Sequence, residues 1–160
     1  MLKSIKENWK TYAVFVGVTL LVGGLSGFLS RGGMKNFEET VTQPPISPPM
    51  ILFPIVWTAL YTLMGIGAAR IYLSGETPGK SRCLNLYVTQ LVVNFFWSLI
   101  FFNAEAYGFA LFWLLLLLAL VILMTVCFFR KDRLAALLQI PYILWLAFAA
   151  YLNYGIWQLN

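Results

Sequence analysis

The chain has 160 residues, of which 61% are hydrophobic and only 11% charged, with a net charge of +5 and no histidine. A soluble domain is nearer a quarter charged, so a chain this apolar lacks the polar surface to face water and must take lipid as its solvent. Without histidine, His-ligated haem and the usual His-based acid–base chemistry are excluded, and the length suits one domain over 1–160 rather than two.

Charged residues divide the chain into five neutral runs, 11–30, 40–69, 83–104, 106–129 and 134–160. A helix needs roughly 20 apolar residues to cross the hydrocarbon, so each run is long enough to cross once and none twice. The expected spans are 11–30, 50–72, 83–104, 106–129 and 134–157. The fold class is therefore an all-α membrane protein, a bundle of five transmembrane helices with a capping first loop. Continuous apolar runs such as Leu114 to Leu118 exclude the alternation of a β-barrel.

The first run follows Lys3, Lys6 and Lys10, as a signal peptide would, but it is longer than a usual h-region and Gly23-Gly24-Leu25-Ser26-Gly27 is not an obvious cleavage site. It reads as a retained helix. Its Gly23-x-x-x-Gly27 permits close helix approach, either within the bundle or in a homodimer. The loop 31–49 is long for so small a protein, which is typical of a lid. Its Pro44-Pro45-Ile46-Ser47-Pro48-Pro49 segment is expected to be stiff and extended. Pro54 and Pro141 fall inside spans, where they free backbone carbonyls and allow kinks. The fourth span, nearly uniform in Leu, Val and Ile after Trp113, is expected to face mainly lipid.

Five spans put the N-terminus, second loop and fourth loop on one side. That side carries Lys3, Lys6, Lys10, Arg70, Lys80, Arg82, Arg130, Lys131 and Arg133, which leaves Arg31 and Lys35 of the 11 Lys and Arg for the other. The positive-inside rule then predicts a multi-pass protein of the cell membrane with a cytoplasmic N-terminus and an external C-terminus. The positive charge reads as topology and contact with lipid headgroups, not as nucleic-acid binding. Cys83 and Cys127 fall near the cytoplasmic ends of their spans, where a structural disulfide is not expected. Lacking a CxxC pattern or a His partner, they make no metal site. No span carries a buried charge of the kind that marks ion pathways.

The informative residues are then the polar and aromatic groups within the spans. Gln90, Asn94, Trp97 and Phe101 recur on one helical face, as do Trp57, Tyr61, Met64 and Ala68, and Tyr142, Trp145, Ala149 and Asn153. Amides are costly against lipid, so these stripes should turn inward. Trp9 and Trp157 suit an interfacial aromatic belt. Trp145 does not, since it lies about 11 residues, or roughly 16 Å, into its span. The stripes converge in the half of the bundle that carries loop one, which suggests an aromatic cavity under a cap. Spacing alone leaves a pocket and plain packing equally open, because a pocket also needs unfilled space.

Three blocks resemble the TspO/MBR (translocator protein) family over essentially the whole chain. They are Pro48-Pro49 with Phe53-Pro54-Ile55-Val56-Trp57-Thr58-Ala59-Leu60-Tyr61, Gln90 to Ser98 leading to Phe101-Phe102, and Pro141-Tyr142-Ile143-Leu144-Trp145 with Leu152-Asn153 and Trp157. The resemblance implies five helices around one pocket. It also implies binding of porphyrins such as protoporphyrin IX and of benzodiazepine or isoquinoline-carboxamide drugs. The porphyrin would be ligand or substrate, with no cofactor required. The pocket positions it carries over are Phe53, Pro54, Trp57, Asn94, Trp97, Phe109, Trp145 and Ala149, and the helical stripes add Tyr61, Tyr142 and Asn153 as candidate ligand-binding residues. Asn94 is a candidate hydrogen-bond donor to a ligand carboxylate or carbonyl. Some members degrade porphyrin in light and oxygen, which gives Trp57 and Trp145 an alternative photochemical role, and tetrapyrrole or lipid transport is a further alternative. Two departures stand out. Gln158 occupies the basic position of the animal cholesterol motif, and Asn36-Phe37 replaces a Trp-Tyr pair in loop one.

Overall fold

The computed structural model describes residues 6–160, so Lys3 lies outside the described residues. The described chain is helical throughout its spans. Helix α1 is Trp9–Leu29, α2 is Arg31–Thr40, α3 is Leu52–Tyr72 and α4 is Lys80–Ser98. A π-helical turn, Leu99–Asn103, extends α4. Then follow α5, Tyr107–Lys131, the short α6, Arg133–Leu137, and α7, Ile140–Leu159. Five of these segments are long and apolar enough to cross a membrane, with α6 and α7 together forming the fifth. The protein is thus a multi-pass membrane protein.

Helix α1 packs chiefly on α3, α4 on α5, and α5 on α7. Small residues set the closest approaches. A Cβ at Gly65 would lie 2.6 Å from Cα of Val16, so α3 meets the backbone of α1 there. Gly23 receives the ring of Tyr61, which puts the first glycine of Gly23-x-x-x-Gly27 to use inside the bundle. Ser26 donates to the carbonyl of Phe95 at 2.7 Å, and Thr19 is bonded to Tyr87, so α1 is also tied to α4. Trp113 of α5 donates to the carbonyl of Val93 at 2.7 Å.

Several expectations need correction. Residues 31–40 form a helix rather than loop, because Phe37 is buried between Phe101 and Phe102, at ring distances of 5.4 and 5.3 Å. The Pro-rich segment turns on itself, with the N–H of Ser47 donating to the carbonyl of Pro44 at 3.0 Å. Pro54 and Pro141 sit in the first turns of α3 and α7, where no intrahelical donor is lost and no kink is required. Helix α5 leaves most of its residues outside the core, but it also has a packed side that was not expected, with Leu114, Leu117, Val121, Met124 and Phe128 buried along it.

The largest correction concerns the cysteines. Cys83, in the first turn of α4, and Cys127, in the last turns of α5, form a disulfide with Cα atoms 5.5 Å apart. Redox compartment governs whether a disulfide persists, but proximity governs whether it can form. Two antiparallel helices joined by a short turn bring their far ends side by side, within disulfide reach. Around this bond the basic end of the bundle is closely tied. Arg70 pairs with Asp132 at 2.8 Å, and Asp132 also caps α6 by accepting from the N–H of Leu134 at 3.0 Å. Lys131 donates to the carbonyl of Pro78.

Candidate functional site

At the other end the bundle encloses a cavity of about 390 Å³, within the range of small-molecule sites. Helix α3 contributes Phe53, Pro54, Trp57 and Tyr61, α4 contributes Asn94 and Trp97, and α7 contributes Trp145 and Ala149. The structure therefore brings together eight of the residues that the sequence singled out. Tyr142 lies just beneath, fully buried, its ring 6.1 Å from that of Trp57. Asn153 borders a second, smaller cavity of about 30 Å³ under loop one, where Gln43 and Ser47 also stand. Phe109 is the exception. It does not line the cavity, and its side chain is 58% exposed on the outside of α5 beside Trp113.

The aromatic walls are ordered by contact. Trp57 stacks on Tyr61 at 5.4 Å, and Trp97 stacks on Phe101 at 5.0 Å. Trp145 meets Phe53 edge-on at 5.6 Å. The π-helical turn matters here. Both Phe101 and Phe102 lie within it and are buried. Phe102 thereby joins the cavity wall, although the sequence offered no reason to prefer it over its neighbour. The α1 wall was missed as well. Leu20, Gly23, Gly24 and Gly27 line it, and glycine gives no apolar signal by which a wall is recognised.

The floor is polar and internally satisfied. Tyr61 donates to Oδ1 of Asn94 at 2.8 Å, and Nδ2 of Asn94 donates to the hydroxyl of Tyr142 at 2.7 Å. Tyr142 in turn donates to Gln90 at 2.8 Å. Asn94 is thus engaged through both its oxygen and its nitrogen. Higher up, Nε1 of Trp97 donates to Asn153 at 3.3 Å, and Asn153 donates to the carbonyl of Tyr107 at 2.8 Å. By contrast, the indole N–H of Trp145 and the hydroxyl of Ser47 are buried without a partner. Buried polar groups normally find one, and both residues border a cavity, Trp145 the larger and Ser47 the smaller.

The cap is fastened to the C-terminus. Nδ2 of Asn160 donates to the carbonyl of Thr42 at 2.8 Å, and the N–H of Thr42 donates to Oδ1 of Asn160 at 3.2 Å. Gly155 lies against Pro44 so closely that a Cβ there would be 2.6 Å from its ring. Asn36 donates to Glu105 at 2.8 Å.

Comparison with known proteins agrees with this architecture. Residues 15–158 match the TspO/MBR family. Among similar proteins, the tryptophan-rich protein TspO of Chlorobaculum tepidum is 33% identical over 151 residues, covering 94% of this chain and 96% of that protein. The translocator protein of Homo sapiens is 39% identical over 137 residues, covering 84% of this chain and 80% of its own. The tryptophan-rich sensory protein of Cereibacter sphaeroides is 31% identical over 125 residues, 78% of this chain and 77% of its own. With five apolar spans and a match along nearly its whole length, the chain belongs to the TspO/MBR family.

Proposed function

We propose that this protein binds flat, largely apolar aromatic ligands within the membrane, with porphyrins such as protoporphyrin IX as the leading class and benzodiazepine or isoquinoline-carboxamide drugs as surrogates. The observation that carries the reading is the cavity between Trp57, Trp97 and Trp145. Indole faces and edges suit a planar π-system. The unpartnered N–H of Trp145 offers a hydrogen bond to a ligand carboxylate or carbonyl, a role that the engaged Asn94 fills less readily. The excess of Lys and Arg at the disulfide end favours a cytoplasmic N-terminus, with the capped cavity in the outer half of the bilayer.

Titrating the protein in phosphatidylcholine nanodiscs with protoporphyrin IX should quench its tryptophan fluorescence saturably. Replacing both Trp97 and Trp145 with Phe should weaken the binding by an order of magnitude or more. Binding of unaltered strength in that double variant would exclude this cavity as the site.

A second reading is favoured by the position of Trp57, whose ring stacks on Tyr61 and lies edge-on to Tyr142. These are oxidisable side chains beside the ligand. Under light, an excited porphyrin would take an electron from Trp57, and dioxygen would supply the oxygen for opening the macrocycle. The chemistry would belong to the ligand, with the protein supplying orientation and the donor. If the illuminated complex forms a stable new absorbance spectrum equally well in Trp57→Phe and Trp145→Phe, the tryptophans are not the donors.

A further inference from the structure

The way into the cavity follows from which of its walls are exposed. Of the lining residues, Gly24 on α1 and Pro54 and Thr58 on α3 are exposed, whereas the others are buried or half-buried. All three stand on the seam between these two helices, since Pro54 and Thr58 share the face of α3 that carries Gly65, the residue in contact with Val16 of α1. The seam changes character along its length. Toward the basic end it is closed by Gly65 against Val16 and by Gly23 against the Tyr61 ring. Toward loop one, Gly24 and Gly27 would each meet nothing within 4 Å even if given a Cβ. Neither position carries a side chain, and the space that a Cβ would enter at each is open.

The route along the bundle axis is shut by contrast. The Asn160–Thr42 hydrogen bonds, Pro44 on Gly155, and Phe37 packed between Phe101 and Phe102 hold the cap in place. We propose that ligand reaches the cavity sideways from the lipid, through a slot between α1 and α3 bounded by Gly24, Gly27, Pro54 and Thr58, and not past the loop-one cap. This inference rests on the binding reading above and deepens it, because it restricts the ligands to molecules that first partition into the bilayer. The slot lies at membrane depth, so an apolar macrocycle would pass from lipid to cavity without crossing water. Glycine at both α1 positions is then a width requirement. The Thr58 hydroxyl costs nothing in this setting, because it donates to the carbonyl of Pro54 at 2.7 Å.

Stopped-flow quenching by protoporphyrin IX in phosphatidylcholine vesicles tests the route. Gly24→Leu or Gly27→Leu places a side chain across the slot and should slow association and dissociation together, each by about tenfold or more, since a gate raises the barrier in both directions. A damaged binding wall would instead speed dissociation. Gly17→Leu, which has equal free space on the same helix but does not border the cavity, should leave both rates unchanged. Asn160→Ala, which loosens the cap, should likewise leave both unchanged. Unaltered rates in Gly24→Leu and Gly27→Leu, faster release in them, or acceleration of both rates by Asn160→Ala would overturn the lateral route while leaving the binding reading intact. Failure of the wild-type protein to show saturable quenching would overturn both.

Discussion

Adding one methyl group at Gly23 tests how the cavity floor is held. A Cβ there would lie 2.1, 2.5 and 2.6 Å from Cε2, Cδ2 and Cζ of the Tyr61 ring. Ordinary contact needs more than 3.4 Å, so the ring would have to retreat by more than an ångström. It has little freedom to do so, with Trp57 stacked against it at 5.4 Å and its hydroxyl bonded to Asn94 at 2.8 Å. Overpacking of this kind costs about 1–3 kcal/mol. The strained hydrogen bond adds about 0.6 kcal/mol on the scale measured between membrane helices. Against this, Ala gains at most about 1 kcal/mol over Gly in helix propensity. Gly23→Ala should therefore destabilise by about 0.5–2.5 kcal/mol, and the displaced ring should enter the cavity and weaken ligand binding. Gly24→Ala and Gly27→Ala, with free space for the methyl, should be neutral or slightly stabilising. Thermal unfolding of the three variants in one detergent, followed by circular dichroism, provides the comparison. Equal stability of Gly23→Ala and Gly24→Ala would refute the account of the floor.

Tyr142→Phe removes the acceptor of Asn94 and the donor to Gln90 in one step and leaves both amides underbonded; a loss of about 1–3 kcal/mol is expected from the desolvation penalty, with Asn94→Leu, which removes an amide, as its comparison. Reduction of Cys83–Cys127, or replacement of both by Ser, should lower stability by less than the about 4 kcal/mol that loop closure over a separation of 44 residues gives for an unrestrained chain, because the bilayer and the short α4–α5 turn already hold the two helices side by side. A mobility difference on non-reducing electrophoresis checks the bond itself, and its absence in purified protein would refute the pairing. Asp132→Ala removes the cap of α6 and the partner of Arg70 and should cost about 1–2 kcal/mol, whereas Asp132→Asn, which keeps a capping oxygen, should recover part of this loss; equal melting temperatures for the two variants would assign the whole effect to the ion pair.

The stripes on α3, α4 and α7 were legible because an amide or a phenol in lipid has few places to go. Gln90, Asn94 and Asn153 had to turn inward, and the aromatic residues at helical spacing from them turned with them. The signal fails where both environments are apolar. Nothing in the runs of leucine in α5 separates the side packed on the core from the side facing lipid, so its buried face was not legible, and Phe109, placed in the pocket by family resemblance alone, stands on the outside. The α2 helix was hidden for a different reason. Arg31-Gly32-Gly33 is a poor helix start by propensity, and the helix is held by Phe37 in its aromatic socket and by Gly33 lying against the Phe102 carbonyl. Those contacts reach the π-helical turn far along the chain, which local spacing does not predict.

The two ends of the bundle divide the work, and the solvent explains how they can. Apolar side chains gain little by leaving lipid for a protein core, so helices in a membrane are held by close packing and by polar bonds between them. At the basic end these ties are the disulfide, the Arg70–Asp132 pair, the Lys131–Pro78 bond and the packing of Gly67 on Gln139, and nearer loop one they are the Ser26–Phe95, Trp97–Asn153 and Asn160–Thr42 bonds. With the basic end pinned by a covalent bond and the cap tied to the C-terminus, the bundle can leave a cavity of about 390 Å³ between them, because an unfilled space forfeits contacts without exposing apolar surface to water. Substitutions at the pinned end should then shift stability with little change in ligand affinity. Those along the α1–α3 slot should change binding rates with little change in stability. The exception is the layer where the two halves meet, Gly23, Tyr61, Asn94 and Tyr142, where one set of contacts both closes the seam and floors the cavity, and where stability and affinity should move together.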